Sequence, residues 1–358
     1  MQKIPLTTKI QNAYRMLRKQ GFSPLLYKTY RFIYHKTQNL IRKIGLYVGK
    51  NPGKELREAA KEYGHKKTHH LTFSIIIPVL GQHDLAQFCI NKIVKHHSEP
   101  IEIVVIDNGG DFRPETSHLP ADIKVKVICP PEGNISVYPC FDVGMKNTEG
   151  DIILFIHSDI VVDEDNFDVL LKYLFARDPK LGVVGFVGSD EINKTGGRGW
   201  GTTSNFAART YRYKDKKWTG TDAKVHGERF DGLTEAILLD GCAIAFPRKV
   251  WNEIGYRPNF PINHYYDRLI CLQAIEKGYT VAVLGLACEH LSGQTSTDEK
   301  IYADSAKKWC QEHNIPPVMD TNGNISWNMS IWTAAREATL KEWKDDKHFI
   351  PRRISWKI

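Results

Sequence analysis

A short apolar segment of the sequence runs directly into residue types that can bind a metal ion. Residues 152–156 are Ile, Ile, Leu, Phe and Ile, and His157, Ser158 and Asp159 follow them. Such a run predicts a strand that is buried on both faces, as in a parallel sheet covered by helices. Because ligands bind at the carboxyl edge of such sheets, His157 and Asp159 would offer nitrogen and oxygen ligands there. The alternative is that Asp159 only forms the next turn.

Further polar residues stand where other predicted elements begin or end. Asp107 closes an apolar strand, Asp240 interrupts another, Asp267 begins a helix and His290 follows the last strand. Three of them also have a structural explanation. Asp107 could form a turn, Asp267 could cap its helix, and His290 could be an ordinary loop histidine. Their common place at element ends favours one shared site at an edge of the sheet.

Strands and helices alternate regularly from Leu71 onward. This rhythm is typical of an α/β fold with a doubly wound, mostly parallel sheet, and we expect the domain to span residues 71–298. The predicted strands are 73–79, 101–107, 124–128, 152–156, 181–187, 238–246 with a break at Gly241, and 280–284. The predicted helices are 84–97, a segment ending near 147, 164–176, 248–254 and 264–277, with a helical C-terminal extension at 299–358.

The rhythm is interrupted at residues 188–234, which are polar and rich in Gly, Lys and Arg. A long stretch of this kind in a compact domain is usually functional, so we predict an active-site loop or lid. Its glycine cluster at 196–201 is not a phosphate-binding fingerprint, because no strand leads into it and no helix follows. Arg198 within it could clamp a diphosphate or could only order the loop.

Positive charge is concentrated in residues 1–70, which we expect to form a basic helical arm and a linker. They carry 16 Lys and Arg against 3 Asp and Glu, whereas the remainder carries 33 against 38. Residues 25–48 combine apolar residues at helical spacing with interleaved Lys and Arg, which predicts a basic amphipathic helix. Residues 1–54 therefore suit an anionic membrane surface. Packing on the main domain is the alternative, and no motif supports nucleic-acid binding.

The seven cysteines are scattered and include no CxxC pair. We therefore expect free, mostly buried thiols rather than disulfides or a zinc site. The sequence shows neither a signal peptide nor an apolar stretch of about 18 residues. These features predict a cytoplasmic protein, which the basic arm would place peripherally on the inner face of a membrane.

Together these segments resemble family 2 type glycosyltransferases, which have the Rossmann-like GT-A fold of the nucleotide-diphospho-sugar transferase superfamily. The resemblance covers about residues 73–293 and depends on several motifs in the expected order. These motifs are FSIIIPV from Phe73, VVIDNG from Val104, GMKNTEGDIILFIHSD from Gly144, LDGCA from Leu239, YYD from Tyr265, GYTVAV from Gly278 and HLSG from His290.

The resemblance implies a role for each matched residue. Asp159 would bind a divalent cation, Mn²⁺ or Mg²⁺, that bridges the donor diphosphate, with His157 and His290 as further metal contacts. Asp267 would be the catalytic base. The residues that would contact the nucleotide or the donor sugar are Pro78, Val79, Asp107, Ser158, Arg198 and Asp240.

Several positions depart from the pattern of that family. His157 stands in place of the first Asp of the DxD motif, and imidazole is a poor ligand for Mg²⁺ but an acceptable one for Mn²⁺. Tyr266 stands in place of the Glu that usually precedes the base, and Leu269 replaces a second acid. The base would therefore lack a neighbouring carboxylate that could shift its pKa.

The resemblance implies an inverting, metal-dependent glycosyltransferase that uses a nucleotide-diphospho-sugar, preferably a UDP-sugar. The basic arm suggests a saccharide or lipid-linked acceptor in cell-surface polysaccharide assembly. The alternative is a non-catalytic GT-A-like binding subunit, in which His157 and Tyr266 mark lost chemistry and the arm docks to a partner or a membrane. A nucleotidyltransferase would need a Gly-rich basic loop after the first strand, which residues 78–81 do not supply.

Overall fold

The fold comes from a computed structural model that describes residues 52–66, 71–189, 192, 196, 202–204, 206–214, 217–225, 231–261, 263–291, 299–319 and 323–342. The described residues belong to one compact unit that begins at Pro52. The predicted amphipathic helix at 25–48 and Arg198 lie outside the described residues. Their structure and roles therefore stay predictions.

Helices and strands alternate through most of the described chain. The strands are β1 (Phe73–Val79), β2 (Ile101–Asp107), β3 (Ile123–Ile128), β4 (Ile152–Ile156), β5 (Ile160–Val162), β6 (Leu181–Gly185), β7 (Val187–Ser189), β8 (Thr202–Ser204), β9 (Phe206–Lys214), β10 (Lys217–Val225), β11 (Gly232–Ala236), β12 (Leu238–Leu239), β13 (Ala243–Pro247), β14 (Thr280–Gly285), β15 (Cys288–His290), β16 (Val318–Met319) and β17 (Ile325–Ser326). The helices are α1 (Pro52–His65), α2 (His83–His96), α3 (Val137–Lys146), α4 (Phe167–Arg177), α5 (Arg248–Ile254), α6 (Tyr266–Glu276), α7 (Glu299–Glu312) and α8 (Trp327–Glu342). The bounds of β1, β2 and β4 are those predicted from the sequence.

The central sheet has the strand order β11-β14-β6-β13-β4-β1-β2-β3. Strands β1, β2, β3 and β4 are mutually parallel, whereas β13 runs antiparallel to both of its neighbours. Alternate residues of the inner strands face opposite sides, so that Ile75 and Ile77 join one buried cluster and Ile76 joins the other. Burial on both faces explains the uninterrupted apolar runs. The predicted α/β class with a doubly wound, mostly parallel sheet is confirmed.

A smaller sheet has the strand order β10-β9-β15-β5. Strands β9 and β10 form a long antiparallel hairpin, and β15 pairs parallel with β9 and antiparallel with β5. The polar stretch at 188–234 therefore contains strands that were not predicted. Strands paired mainly through backbone hydrogen bonds need no apolar run, so they leave little hydrophobic periodicity in the sequence. The role of this stretch as a loop or lid stays a prediction.

Helix α1 packs on α4 and β11. Its Arg57 binds the Glu164 carboxylate through Nε at 2.5 Å and Nη2 at 3.1 Å, and also Asp231 at 2.7 Å and the Gly285 carbonyl at 3.1 Å. The same Glu164 carboxylate accepts the Ala287 N–H at 2.8 Å. This network ties α1 to the connection that leads into β15.

The predicted C-terminal extension is largely helical in its described part. Helices α7 and α8 pack on each other around Ala306, Trp309, Cys310 and Ile331, and α8 also contacts α6. Within the described ranges, no helix combines the length and the apolar character needed to cross a bilayer. All seven cysteines are free thiols, and all except Cys129 are buried.

Candidate active site

The turn after β4 positions the first two metal-binding candidates. The His157 N–H donates to the Cys242 carbonyl at 2.8 Å, and the Ile160 N–H donates to the His157 carbonyl at 3.2 Å. This turn leads into β5 and leaves Asp159 6% exposed. His157 and Asp159 therefore lie at the carboxyl edge of the central sheet, as the sequence predicted.

Strand β15 brings the third candidate to the same place. His290 is paired with Ile160 in the β15–β5 ladder, and the Leu291 N–H donates to the Asp159 carbonyl at 2.8 Å. His290 Nε2 consequently lies 3.3 Å from Asp159 Oδ2. The pairing of two short strands thus joins residues that are distant in the sequence.

His157, Asp159 and His290 together form a possible metal-binding triad. One ligand atom of each lies within 4.8 Å of the others. Asp159 Oδ1 is buried without a hydrogen-bond partner, which is costly for a carboxylate oxygen unless a cation or donor satisfies it. Two imidazoles and one carboxylate suit Mn²⁺ better than Mg²⁺, which prefers oxygen ligands. The triad therefore fits the divalent metal that the resemblance implies.

The charges around the triad favour ionisation states that can bind a metal. Burial acts to raise the pKa of Asp159, but His290 and His157 outweigh it and the pKa is lowered. Burial also lowers the pKa of His157, and the charges of nearby carboxylates oppose this only in part. At neutral pH Asp159 is therefore ionised, and His157 is neutral with a lone pair to donate.

Tyr266, the first residue of α6, contacts His157. Its hydroxyl lies 2.9 Å from His157 Nε2 and 3.3 Å from the Gly241 carbonyl oxygen. Its ring stacks on Tyr138 with centroids 5.6 Å apart and an interplanar angle of 12°. A Cβ at Gly241 would overlap the phenol, so only glycine allows this approach. Tyr266 is thus held rigidly beside the triad.

A pocket of about 330 Å³ opens beside His157 and Asp159. Three more of the residues predicted from the sequence, Pro78, Val79 and Ser158, also line it. The pocket therefore brings together the ends of β1 and β4. A concave site with a few polar groups at a sheet edge is the usual form of a small-molecule site.

A network of polar residues after β2 and β3 forms another part of the pocket wall, and sequence reasoning missed it. Asn108 Nδ2 donates to Asn134 Oδ1 at 2.8 Å, and Asn108 Oδ1 accepts the Ile135 N–H at 2.8 Å. Ser136 has φ 69° and ψ 175°, a conformation that is essentially restricted to glycine. The Ser136 N–H donates to the same Asn134 Oδ1 at 3.0 Å, which holds Ser136 in this network, and Asn108, Asn134 and Ser136 all line the pocket.

Asp107 is close to the pocket but turned to the backbone of its own loop. It is 1% exposed, and its carboxylate accepts the N–H groups of Gly109 at 3.2 Å, Gly110 at 2.9 Å and Phe112 at 2.8 Å. It is not among the lining residues, whereas its neighbour Asn108 is. Asp107 therefore shapes the loop that presents Asn108.

Asp267 and Asp240 lie around the β12–β13 connection. Asp267 Oδ2 accepts the Gly241 N–H at 3.1 Å, and Oδ1 accepts the Arg268 N–H at 2.8 Å and faces the Arg268 guanidinium at 3.2 Å. Asp240 Oδ1 accepts the Cys242 N–H at 3.1 Å. Neither carboxylate lines the pocket, although both act electrostatically on His157.

Three further pocket residues, Asn263, His264 and Asn328, were not predicted. Asn263 Oδ1 is buried without a hydrogen-bond partner, so it can accept a bond from a ligand hydroxyl. Burial lowers the pKa of His264, which keeps its imidazole neutral near pH 7. Asn263 and His264 come just before Asp267 in the sequence, and this position could have indicated that they belong to the site. Asn328 comes from α8, and no local pattern connects it with the site.

Comparison with known families gives one match over most of the chain. The model of a family described as glycosyltransferase-like matches residues 115–334. No curated protein matches the sequence.

The chain is also similar to solved structures at low identity. The mannosyltransferase PcManGT from Pyrobaculum calidifontis, solved with GDP-Man and Mn²⁺, is 12% identical over 80% of this chain and 81% of its own, with a TM-score of 0.44. TarS 1–349 from S. aureus, solved with UDP-GlcNAc, is 15% identical over 68% of this chain and 66% of its own, with a TM-score of 0.41. GalNAc-T7, solved with UDP, GalNAc and Mn²⁺, is 14% identical over 68% of this chain and 50% of its own, with a TM-score of 0.42.

Proposed function

The chain belongs to the glycosyltransferase-like family, and on that premise we propose that it is an inverting, metal-dependent transferase that uses a nucleotide-diphospho-sugar. The family resemblance inferred from the sequence is confirmed by this membership. The observation that carries the finer proposal is the triad of His157, Asp159 and His290 beside a pocket at the carboxyl edge of the sheet.

The triad would hold the divalent metal. A bound ion of this kind neutralises the negative charge that develops on a nucleoside diphosphate as it leaves the sugar. His157 and Asp159 line the pocket themselves, so a diphosphate bound there would lie next to the metal ligands. Mn²⁺ is the proposed ion because two of the three ligands are imidazoles.

The pocket would bind the donor, for which a UDP-sugar is proposed. Pro78, Val79 and Ser158 would contact the nucleotide, and Asp107 would act through the loop that carries Asn108. Asn263 would accept a hydroxyl of the sugar, because its Oδ1 is buried without another partner. Asp240 and Arg198 are proposed as further donor contacts on the strength of the sequence resemblance.

Asp267 is the proposed catalytic base. Its carboxylate would take the proton of the acceptor hydroxyl while the hydroxyl oxygen attacks the anomeric carbon and the bond to the diphosphate breaks. A single displacement inverts the anomeric configuration, since no carboxylate forms a covalent intermediate. The second candidate is His264, which lines the pocket and is neutral near pH 7.

Isosteric substitutions distinguish the two candidate bases. Asp267→Asn and His264→Gln each remove a proton acceptor while keeping similar size. The variant that lacks the true base should bind Mn²⁺ and the donor normally and lose roughly 10²- to 10⁴-fold in turnover. If Asp267→Asn retains turnover, Asp267 is not the base.

The acceptor is proposed to be a saccharide or lipid-linked saccharide in cell-surface polysaccharide assembly. The support is the basic character of residues 1–54, which carry twelve Lys or Arg and no acid. Such a segment is attracted to anionic lipid headgroups. It would hold the enzyme peripherally at the inner face of a membrane, where a lipid-linked acceptor is available.

The test is a thermal-shift panel of UDP, GDP, CMP and dTDP, each with and without Mn²⁺ or Mg²⁺. Ligands that bind only the folded state raise the melting temperature. We expect a metal-dependent shift with UDP that disappears in Asp159→Ala and persists in Asp165→Asn, a control carboxylate whose side chain is 80% exposed. No metal-dependent shift with any nucleotide would favour the non-catalytic binding subunit.

A further inference from the structure

Two residues of the site that differ from the family pattern contact each other. His157 and Tyr266 both depart from the sequence pattern of the family, and they come from different elements, the end of β4 and the start of α6. Their side chains meet at His157 Nε2 and the Tyr266 hydroxyl, 2.9 Å apart. The phenol is therefore well placed to determine which ring nitrogen of the imidazole carries the proton.

The Tyr266 hydroxyl has little freedom to move. Tyr266 is 4% exposed, its ring stacks on Tyr138, and Phe141 packs against it edge-on with centroids 5.5 Å apart. The Gly241 backbone lies directly against the phenol. A hydroxyl fixed in this way can impose a hydrogen-bonding pattern on its neighbour.

Hydrogen-bond donors and acceptors limit where the His157 proton can be. The Gly241 carbonyl can only accept, and the Tyr266 hydroxyl, 3.3 Å away, can donate its single proton to it. In that arrangement the phenol oxygen can accept a bond from a protonated His157 Nε2, which lies 2.9 Å away. A neutral imidazole carries one ring proton, so Nδ1 keeps its lone pair.

The other tautomer would prevent metal binding. If the phenol donated to Nε2, the lone pair of that nitrogen would be used, and the proton on Nδ1 would block the remaining ring nitrogen. Within the described residues, the buried Asp159 Oδ1 accepts no hydrogen bond, so it does not stabilise a proton on Nδ1. Metal binding through Nδ1 therefore requires the tautomer that carries its proton on Nε2.

We propose that Tyr266 is a positioning residue that holds His157 with its proton on Nε2, so that Nδ1 binds a divalent metal together with Asp159 and His290. This inference rests on the metal site of the proposed function and assigns a role to a residue outside the triad. It explains how a histidine can serve at position 157, since a partner on the second ring nitrogen fixes the orientation of a ligand imidazole.

The first test reads the tautomer directly in the metal-free full-length protein. Nitrogen NMR of the ¹⁵N-histidine-labelled chain, with the His157 signals assigned from a His157→Gln sample, shows which ring nitrogen is protonated. We expect a protonated Nε2 and an unprotonated Nδ1 in the wild type. In Tyr266→Phe, which keeps the stacked ring, we expect a mixture of tautomers. A wild-type His157 protonated on Nδ1 would overturn the proposal even if the variant does not fold.

The second test measures Mn²⁺ affinity by the EPR signal of the free ion. Loss of the partner of a ligand histidine typically weakens metal binding roughly 10- to 100-fold, which we expect for Tyr266→Phe. The matched control is Tyr256→Phe, which removes a hydroxyl from a ring packed on Tyr138, 4.8 Å between centroids, and should keep wild-type affinity. Equal affinity of wild type and Tyr266→Phe would overturn the proposal.

These experiments distinguish a failure of the positioning role of Tyr266 from a failure of the proposed transferase function. If Mn²⁺ binds and depends on Tyr266 but no sugar is transferred, the positioning role stands and the transferase proposal fails. If sugar is transferred with full Mn²⁺ affinity in Tyr266→Phe, the transferase proposal stands and the positioning role fails.

Discussion

At the scale of single residues, position 157 has the largest effect on which nitrogen and oxygen atoms the triad offers to a metal ion. An imidazole there gives the triad two nitrogen ligands and one carboxylate. Mg²⁺ prefers oxygen ligands and binds imidazole poorly, whereas Mn²⁺ accepts both. The identity of residue 157 should therefore determine which ion the site prefers.

We predict that His157→Asp narrows the preference for Mn²⁺ over Mg²⁺. The variant replaces a nitrogen ligand by a carboxylate, so its Mg²⁺ affinity should rise relative to its Mn²⁺ affinity. Competition of Mg²⁺ against EPR-detected Mn²⁺ measures the ratio. The control is His313→Asn, which changes a histidine stacked on Trp309 in the C-terminal extension. An unchanged ratio in His157→Asp would mean that residue 157 does not bind the metal.

Glu102 on β2 provides a pH-dependent contribution to stability. Its carboxylate accepts bonds from Ser74 Oγ at 2.6 Å, Lys126 Nζ at 2.8 Å and the Glu149 N–H at 2.9 Å. Burial alone would raise its pKa, but these bonds outweigh burial and the pKa is lowered. A carboxyl with a lowered native pKa stabilises the fold above its ordinary pKa and loses this effect as the pH falls through the native value.

We predict that Glu102→Gln lowers the free energy of unfolding by about 1 kcal/mol at pH 7, allowing for solvent screening at this partly buried position. The difference from wild type should shrink as the pH falls through the lowered native pKa of Glu102, because the wild-type carboxyl then also becomes neutral. Urea denaturation at a series of pH values from 7 downward measures it, with the exposed Glu132→Gln as control. A difference that stays constant with pH would rule out the ionic contribution.

At the scale of elements, short strand pairings and one helix build the site. Strand β15 carries His290 and is held on one side by β5 and at its start by the network around Glu164. Arg57 of α1 neutralises that carboxylate and also binds the Gly285 carbonyl. A helix that was predicted to belong to the arm and linker thus supports the segment that carries His290, a proposed metal ligand.

We predict that Arg57→Ala lowers the free energy of unfolding by about 2 kcal/mol, because Glu164 would be left nearly buried without its charge partner. The variant should also bind Mn²⁺ more weakly, since the connection into β15 loses an anchor. Denaturation and Mn²⁺ titration measure the two effects. Lys66→Ala breaks an exposed ion pair with Glu62 near the end of the same helix and should change neither. Equal behaviour of both variants would show that the network is not important for the site.

The buried strands were predictable because burial on both faces leaves continuous apolar runs, as in β1, β2 and β4. The hairpin of β9 and β10 was not, because backbone pairing between polar strands produces no such pattern. His157, Asp159 and His290 were predictable from their positions at strand ends. Asn134 and Asn328 were not predictable, because long-range packing brings them to the pocket and no local sequence pattern indicates it.

At the scale of the whole molecule, charge is divided unequally along the chain. Residues 1–70 have 16 Lys and Arg against 3 acids, and the remainder has fewer basic than acidic residues. A basic segment of this kind can hold a mildly acidic body at an anionic surface through long-range attraction. Salt screens such attraction over about 10 Å at 0.1 M ionic strength.

We predict that the full-length protein floats with anionic vesicles at low salt and is released at high salt. Arg42→Gln combined with Lys43→Gln should weaken binding, since each basic residue near the surface contributes about 1 kcal/mol. The matched control is Lys307→Gln combined with Lys308→Gln on α7, which should float as wild type. Equal flotation with neutral and anionic vesicles would contradict an electrostatic membrane contact.

One measurement decides whether the triad is the metal site of a nucleotide-sugar transferase, because it asks whether a single ion contacts both the triad and the donor. Pulsed EPR of Mn²⁺ bound to the full-length protein with UDP reports nuclei close to the ion. We predict ¹⁴N couplings from histidine ligands and ³¹P couplings from the diphosphate on the same Mn²⁺, with the ¹⁴N couplings lost in Asp159→Ala together with ion binding. A ³¹P coupling without histidine nitrogen, or an ion that binds equally well without Asp159, would contradict the assignment of the triad as the metal site of a nucleotide-sugar transferase.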